Sequence, residues 1–234
     1  REKFSHLSIP VQTYSAMYEQ PALPFAVNEK WAADDTVTIM YTSGTTGRPK
    51  GVRQTAQNHT SNALSSMLNL KLYESEAWLC TMPLFHISGF SILVRSLLYG
   101  MTVHLLPKFN AKESASLIAA GNVTRMSVVA TTLRQILDVL EMQNEVASAS
   151  FHTMLAGGGP IPPHDIQRAQ RRRLPILQTY GMTETSSQTA TLRSEDALRK
   201  IGSSGMPLFF NEIKIVNQVD RIGEICIRGP HVTP

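Results

Sequence analysis

The chain has 234 residues, of which 42% are hydrophobic and 17% charged, with a formal net charge of +4 and a pI near 9.2. That composition is that of an ordinary globular protein and excludes a disordered one. The excess positive charge suits anionic small molecules and is too small to argue for nucleic acid. The length allows one large domain or two small ones around a full core. No stretch approaches a membrane span, and the N-terminus lacks an apolar signal core. Cys80 and Cys226 lie in apolar strand-like runs, so both are expected as buried, reduced thiols and the cytoplasm is the default address. The chain starts at Arg1 without an initiator Met, which suggests a piece of something longer.

Residues 1–35 carry Pro10, Pro21 and Pro24 without a clear period and read as a connecting segment. Thr36 to Tyr41 is rich in β-branched and aromatic residues and reads as a strand leading into a Gly-rich loop. Ala63, Leu64, Met67 and Leu70 then mark one helix face between Ser61 and Leu70. Strand-like runs at Ala77–Met82, Met101–Leu106, Arg125–Ala130, Thr153–Ala156 and Ile176–Thr179 alternate with helical ones. The helical runs are Phe90–Tyr99, Ala111–Ala120, the Leu133 to Leu140 face, and Pro163–Arg171. This alternation predicts an α/β fold with mostly parallel sheets and helices on both faces, with ligands at the carboxyl ends of the strands. The helices stop at about Met206, and Glu212–Val216 with Gly223–Ile227 read as two strands of a β-rich portion. The expected organisation is a connecting segment 1–35, an α/β core 36–205 and a β-rich portion 206–234 of the same domain. Arg168 with Arg171 to Arg173 reads as the solvated, dipole-favoured end of a helix.

The loop Thr42-Ser43-Gly44-Thr45-Thr46-Gly47-Arg48-Pro49-Lys50-Gly51 offers glycines, hydroxyls, a run of N–H groups and a cation, the chemistry of a polyphosphate cradle. It fails the P-loop spacing G-x-x-x-x-G-K-[ST], because Pro49 stands five residues after Gly44 and Gly51 follows Lys50. Thr179-Tyr180-Gly181-Met182-Thr183-Glu184-Thr185 follows a strand; Tyr180 offers a flat face, Thr183 a hydroxyl and Glu184 a hard oxygen ligand for Mg²⁺. Taken alone, Thr183-Glu184-Thr185 reads as a helix N-cap with a favourable acidic first turn, ahead of the ligand-binding reading. Gly157, Gly158 and Gly159, after another strand, remove side chains where a ring could approach, or simply form a turn. Pro83 to Gly89 places His86 just past a strand.

Together these strings resemble the adenylate-forming superfamily, which includes acyl-CoA synthetases, luciferases and nonribosomal-peptide adenylation domains. The resemblance runs from about Ile39 to Pro230 and takes in Gly202–Pro207 and Gly223–Gly229. It implies that Thr42 to Gly47 and Lys50 grip the phosphates of ATP and that Gly157, Gly158 and Gly159 floor the adenine pocket. It also implies that Tyr180, with Gly181, packs on adenine, that Thr183 contacts the α-phosphate, and that Glu184 holds Mg²⁺. His86 would meet the acyl carboxylate or gate the acceptor tunnel. Within the superfamily the wording is most similar to the o-succinylbenzoate:CoA ligase family of menaquinone biosynthesis. That resemblance implies activation of a carboxylic acid by ATP to acyl-AMP and transfer to CoA. It also implies a ribose-binding Asp and a small C-terminal domain with its lysine beyond the position matching Pro234, so residues 1–234 alone are expected not to complete turnover.

Arg95 interrupts Ile92, Leu93, Val94, Leu97 and Leu98, so burial would demand an anion. An internal carboxylate, a snorkelling geometry, or the second carboxylate of o-succinylbenzoate would each answer that demand. Ser187 and Gln188 are polar groups for the same acyl pocket. Other acyl- or aryl-CoA ligases, amino-acid adenylation domains and a non-catalytic nucleotide-binding module are the alternatives. The expected partners are a small carboxylic acid, ATP and CoA, without nucleic acid or a membrane span, and a homo-oligomer is compatible with the sequence.

Overall fold

The computed structural model describes residues 13–21, 24, 26, 29–42 and 48–234, with Tyr14 described for its main chain alone. It comprises two units, Arg1–Trp31 and Ala32–Pro234. In the first, helix α1 (Tyr14–Tyr18) starts at Thr13, whose hydroxyl accepts from the Ala16 N–H.

The second unit begins with an antiparallel hairpin of β1 (Thr36–Thr42) and β2 (Lys50–Thr55), in which Thr42 stands opposite Lys50. Helix α2 (Ala56–Leu70) follows without a break. Its start is fixed by a reciprocal pair: Asn58 N–H donates to the Thr55 hydroxyl at 3.2 Å, and Thr55 N–H donates to Asn58 Oδ1 at 2.9 Å. Strands and helices then alternate: β3 (Ala77–Cys80), α3 (Ile87–Tyr99), β4 (Thr102–Leu105), α4 (Ala111–Ala120), β5 (Arg125–Val128), α5 (Ala130–Met142), β6 (Thr153–Ala156), α6 (Pro163–Arg171) and β7 (Ile176–Met182). The chain ends with β8 (Ser187–Leu192), β9 (Met206–Pro207), β10 (Glu212–Val219) and β11 (Ile222–Arg228).

The main sheet has seven strands in the order β4-β3-β5-β6-β7-β8-β9, parallel from β4 to β7 and antiparallel beyond. Side chains alternate across it. Leu79, Met126, Met154 and Ile176 face α4, α5 and α6, where Ile118, Leu133, Ile136, Leu137 and Leu140 are fully buried. Each such side chain contributes about 1.5–3 kcal/mol of hydrophobic burial. Trp78, Cys80 and Leu155 face the other way, toward Leu70 of α2 and Ile92 of α3. Helices thus cover both faces, as the alternation predicts. No helix among the described residues is long and apolar enough to cross a membrane.

Some expectations need correcting. β2 and β8 were not legible as strands, and β7 runs three residues past Thr179. Cys80 is buried, but Cys226 is exposed because β10 and β11 form a two-stranded sheet of their own. Arg168 is not a free helix end: its guanidinium bridges Asp138 (2.5 Å) and Glu141 (2.6 Å) on α5 and lies 3.4 Å from Asp165 on α6, locking the two helices together.

Candidate active site

The carboxyl ends of the parallel strands open onto two adjoining cavities. One, of about 180 Å³, lies between α3 and the ends of β5, β6 and β7, against Ser91, Arg95, Leu155, Gly157, Ser187 and Gln188. The other, of about 390 Å³, is bounded by Gly158, Gly159, Tyr180 and the segment Gly202 to Ser204. Gly158, Thr179 and Gly181 border both, so the wall between them is little more than main chain. Glycine is demanded at Gly181, where a Cβ would stand 1.8 Å from the Ser187 carbonyl oxygen. There the pairing of β7 with β8 shifts register, which brings Ser187 and Gln188 against the first cavity.

After Met182 the chain makes a single 3-10 turn, Thr183–Thr185, held by the Met182 N–H donating to the Thr185 hydroxyl at 3.0 Å. Three other parts of the fold grip it. Gln54 of β2 donates through Nε2 to the Thr183 carbonyl at 2.7 Å. Thr233 N–H donates to the Glu184 carbonyl at 2.9 Å. Asn62 of α2 donates to the carbonyls of Thr185 (3.0 Å) and Gln188 (2.8 Å). Glu184 is half-buried, and among the described residues no group of three or more His, Cys, Asp or Glu forms a metal cluster. Lys50 is exposed on the same strand face as Gln54, roughly 13 Å further along β2 at the rise of an extended chain. The hairpin from the glycine-rich loop therefore docks directly on the turn carrying Thr183 and Glu184. Thr42 ends β1, whereas Ser43, Gly44, Thr45, Thr46 and Gly47 lie outside the described residues.

Arg95 is 1% exposed. Its Nη2 donates to Asn62 Oδ1 at 3.0 Å and to the Ser187 hydroxyl at 3.1 Å, while its buried Nε has no partner. No carboxylate of the described residues pairs with it, so of the three answers to a buried guanidinium, neither an internal ion pair nor snorkelling applies. Burial pulls its pKa down; Tyr99 opposes this, and the neighbouring Arg125 adds a smaller push in the same downward direction. Ser187 also donates to Ser91 at 3.3 Å. The Gln188 amide is saturated by protein: Oε1 accepts from Ser66 at 2.6 Å, and Nε2 donates to Thr191 at 3.0 Å and Thr179 at 3.3 Å. It shapes the cavity wall and offers no free polar group. His86 caps α3 with its main chain only; its ring is exposed and packs on Phe85 at a tilt of 49°, with centroids 4.5 Å apart. It does not border the smaller cavity.

Several residues of this arrangement escaped sequence reasoning. Gly202, Ser203 and Ser204 read as a structural turn, yet they border the larger cavity beside Tyr180. Gln54 and Asn62 are buried polar side chains joining distant main-chain segments. The available signal was a polar stripe, Asn58, Asn62, Ser65 and Ser66, on a helix face that is buried.

Residues 6–234 match the family described as AMP-binding enzyme. A curated 2-succinylbenzoate--CoA ligase of Geobacillus sp. (strain WCH70) is 44% identical over 231 residues, 97% of this chain and 46% of that protein. The Bacillus licheniformis enzyme of the same name is 49% identical over 204 residues, covering 85% of this chain and 42% of its own. Among solved structures, o-succinylbenzoate CoA synthetase from Bacillus subtilis in complex with the acyl-adenylate intermediate OSB-AMP superposes with a TM-score of 0.86 at 40% identity, over 99% of this chain and 48% of that one. The same enzyme in complex with ATP and magnesium ion gives 0.84 at 41% identity, over 94% and 46%. The chain spans about half the length of the curated relatives it matches.

Proposed function

The chain belongs to the AMP-binding enzyme family, and on that premise we propose that it carries the adenylating site of an o-succinylbenzoate:CoA ligase of menaquinone biosynthesis. The activity is ATP-dependent formation of an acyl-adenylate followed by transfer of the acyl group to CoA. The carrying observation is the pair of cavities sharing a main-chain wall, one ending on Tyr180 and the other on Arg95. A nucleotide on one side and an acyl group on the other meet where that wall ends, beside the Thr183–Thr185 turn. The named activity of the relatives supports the same reading.

A carboxylate resists thiol attack because oxide is its leaving group. In the first step a substrate carboxylate oxygen attacks the α-phosphorus of ATP, the bond to the β-phosphate oxygen breaks, and pyrophosphate departs. In the second the CoA sulfur attacks the acyl carbon, AMP leaves with the bonding pair, and the thiol proton is lost to base. In this reading Tyr180 and Gly181, with Gly158 and Gly159, hold adenine, Gly157 lies on the acyl side of the shared wall, and the Thr183 hydroxyl holds the α-phosphate. Thr42 and Lys50, with the adjoining loop 43–47, neutralise the departing phosphates. Arg95 and Ser187 receive the carboxylate that is not activated, and His86, outside the lining of the smaller cavity, gates the acceptor. A Mg²⁺ ion fits here, since it is usually held by one or two carboxylates plus substrate phosphates and waters, which matches the single carboxylate of Glu184. When bound, it would offset phosphate charge.

The test is pyrophosphate release by the complete protein across a panel of acids. o-Succinylbenzoate is expected to dominate, with a CoA thioester as product. Release of γ-phosphate instead, or nucleotide binding without pyrophosphate, would overturn the reading.

A further inference from the structure

Two arginines are buried under the same tryptophan, and the fold treats them oppositely. Arg125 and Arg95 are each 1% exposed, with their guanidinium carbons 5.9 and 5.7 Å from the Trp78 ring centroid. Arg125 is neutralised internally: Glu76 Oε1 accepts from its Nε at 2.9 Å and its Nη2 at 2.6 Å. Arg95 meets only neutral groups among the described residues, the Asn62 amide oxygen and the Ser187 hydroxyl. A buried guanidinium without a counter-charge is costly, so its persistence at a cavity wall calls for an anion from outside.

The neutrality is built in. Asn62 is 1% exposed, and both N–H bonds of its amide are committed to the carbonyls of Thr185 and Gln188. That commitment fixes which end of the amide faces Arg95: the oxygen, a full acceptor without a full charge. Aspartate is nearly isosteric and would satisfy Arg95 better, but it would turn an anion toward those two carbonyls. Ser187 completes the arrangement from β8, and its hydroxyl donates onward to Ser91. Ser91 and Arg95 lie four residues apart on one face of α3, so the charged end of the cavity is lined with hydroxyls.

We propose that Asn62 and Ser187 form a neutral clamp that sets substrate specificity. By orienting Arg95 without discharging it, they make the acyl pocket select an acid with a second anionic group over the same acid with that group neutral. This inference rests on the acyl-ligase reading above, and it assigns the selectivity to the residues around the arginine as well as to the arginine itself. Asn62 is a positioning residue acting through Arg95.

The test compares o-succinylbenzoate with its analogue carrying a carboxamide at the carboxylate that is not activated, using pyrophosphate release by the complete protein. The wild type is expected to prefer the diacid by about a hundredfold in kcat/KM, in line with a close charge pair at a desolvated site. Asn62→Asp and Ser187→Asp each supply an internal counter-ion, and each is expected to reduce the preference at least about tenfold, chiefly through a raised KM for the diacid. Ser187 borders the cavity, so its variant has room to fold if Asn62→Asp does not; thermal melting establishes folding first. An unchanged preference in either folded variant overturns the clamp, even if overall activity falls. Arg95→Met separates the two claims: loss of the diacid preference is expected, and a preserved preference sinks the placement of the second carboxylate at Arg95, and the clamp with it.

Discussion

The Gln54 side chain donates to the main-chain carbonyl of Thr183 at 2.7 Å, joining the strand after the glycine-rich loop to the turn before β8. Its orientation propagates. With Nε2 committed to Thr183, Oε1 accepts the Thr38 hydroxyl proton at 2.7 Å, and the Thr38 oxygen is left to accept from His59 Nε2 at 2.8 Å. His59 is thereby assigned as the neutral tautomer with its proton on Nε2.

Gln54→Leu keeps the volume and removes both bonds, leaving a carbonyl and a hydroxyl unpaired at a cost of about 1–3 kcal/mol. On the proposed function, the expected result is a kcat/KM for ATP reduced at least tenfold, with a smaller change in KM for the acid, because the hairpin carrying Lys50 loses its tie to the turn. Pyrophosphate-release kinetics and a thermal melt check it. Equal loss toward both substrates would mean that Gln54 only stabilises the fold.

Acid sensitivity follows from two buried imidazoles. Burial pushes His59 and His231 down to about 4. The unfolded chain, with histidine near 6.5, binds these protons more readily, so stability is complete above pH 6.5 and is lost progressively as pH falls toward 4. Melting temperatures from pH 8 to pH 4 should fall along this course, and His59→Gln, which keeps a donor toward Thr38, should flatten it.

Gly181→Ala places a methyl group where the Ser187 carbonyl stands, 1.8 Å away. Since the obstacle is main chain, β8 must shift and carry Ser187 and Gln188 with it. A melting temperature lowered by several degrees and activity down more than tenfold are expected, consistent with overpacking costs of about 1–3 kcal/mol and a displaced site. Wild-type kinetics in this variant would refute the account.

The cluster at the opposite, amino ends of the strands should affect stability alone. Glu76 Oε1 accepts from Arg125 and, at 2.8 Å, from His152, while Arg125 also donates to the Lys71 carbonyl at 2.6 Å and the Thr153 hydroxyl at 3.1 Å. Glu76→Gln strips the counter-charge from a buried guanidinium, a loss of about 3–5 kcal/mol. Denaturant unfolding should register it, while KM values for ATP and acid in the folded protein stay as they were.

The parallel strands and their crossover helices were legible in the sequence because apolar periodicity changes from two to 3.6 wherever an element is covered on a known side. β8 was not, because Gln188, Thr189 and Thr191 are polar and become buried by bonding one another and their neighbours. β2 was hidden for a related reason: Lys50 and Gly51 read as the end of the glycine-rich loop, and the polar Arg53 and Gln54 that follow carry no apolar alternation, although Gln54 is fully buried. Cys226 failed in the opposite sense, since an apolar strand implies burial only when another layer covers its sheet. For the candidate site, the strings around Gly157, Tyr180 and Glu184 and the anomaly of Arg95 were legible in the sequence. What lay beyond it was the clamp, since Asn62 and Arg95 are 33 residues apart and meet only through the packing of α2 on α3.

Trp78 gives the site an optical reporter. Its indole is fully buried and lies between 5 and 6 Å from both guanidinium carbons, while Trp31 is 55% exposed and belongs to the other unit. An anion settling beside Arg95 changes the electric field across one indole and leaves the other in water. Titrating acid into the protein while following red-shifted against blue-shifted emission would therefore reveal occupancy of the acyl pocket without ATP, CoA or turnover.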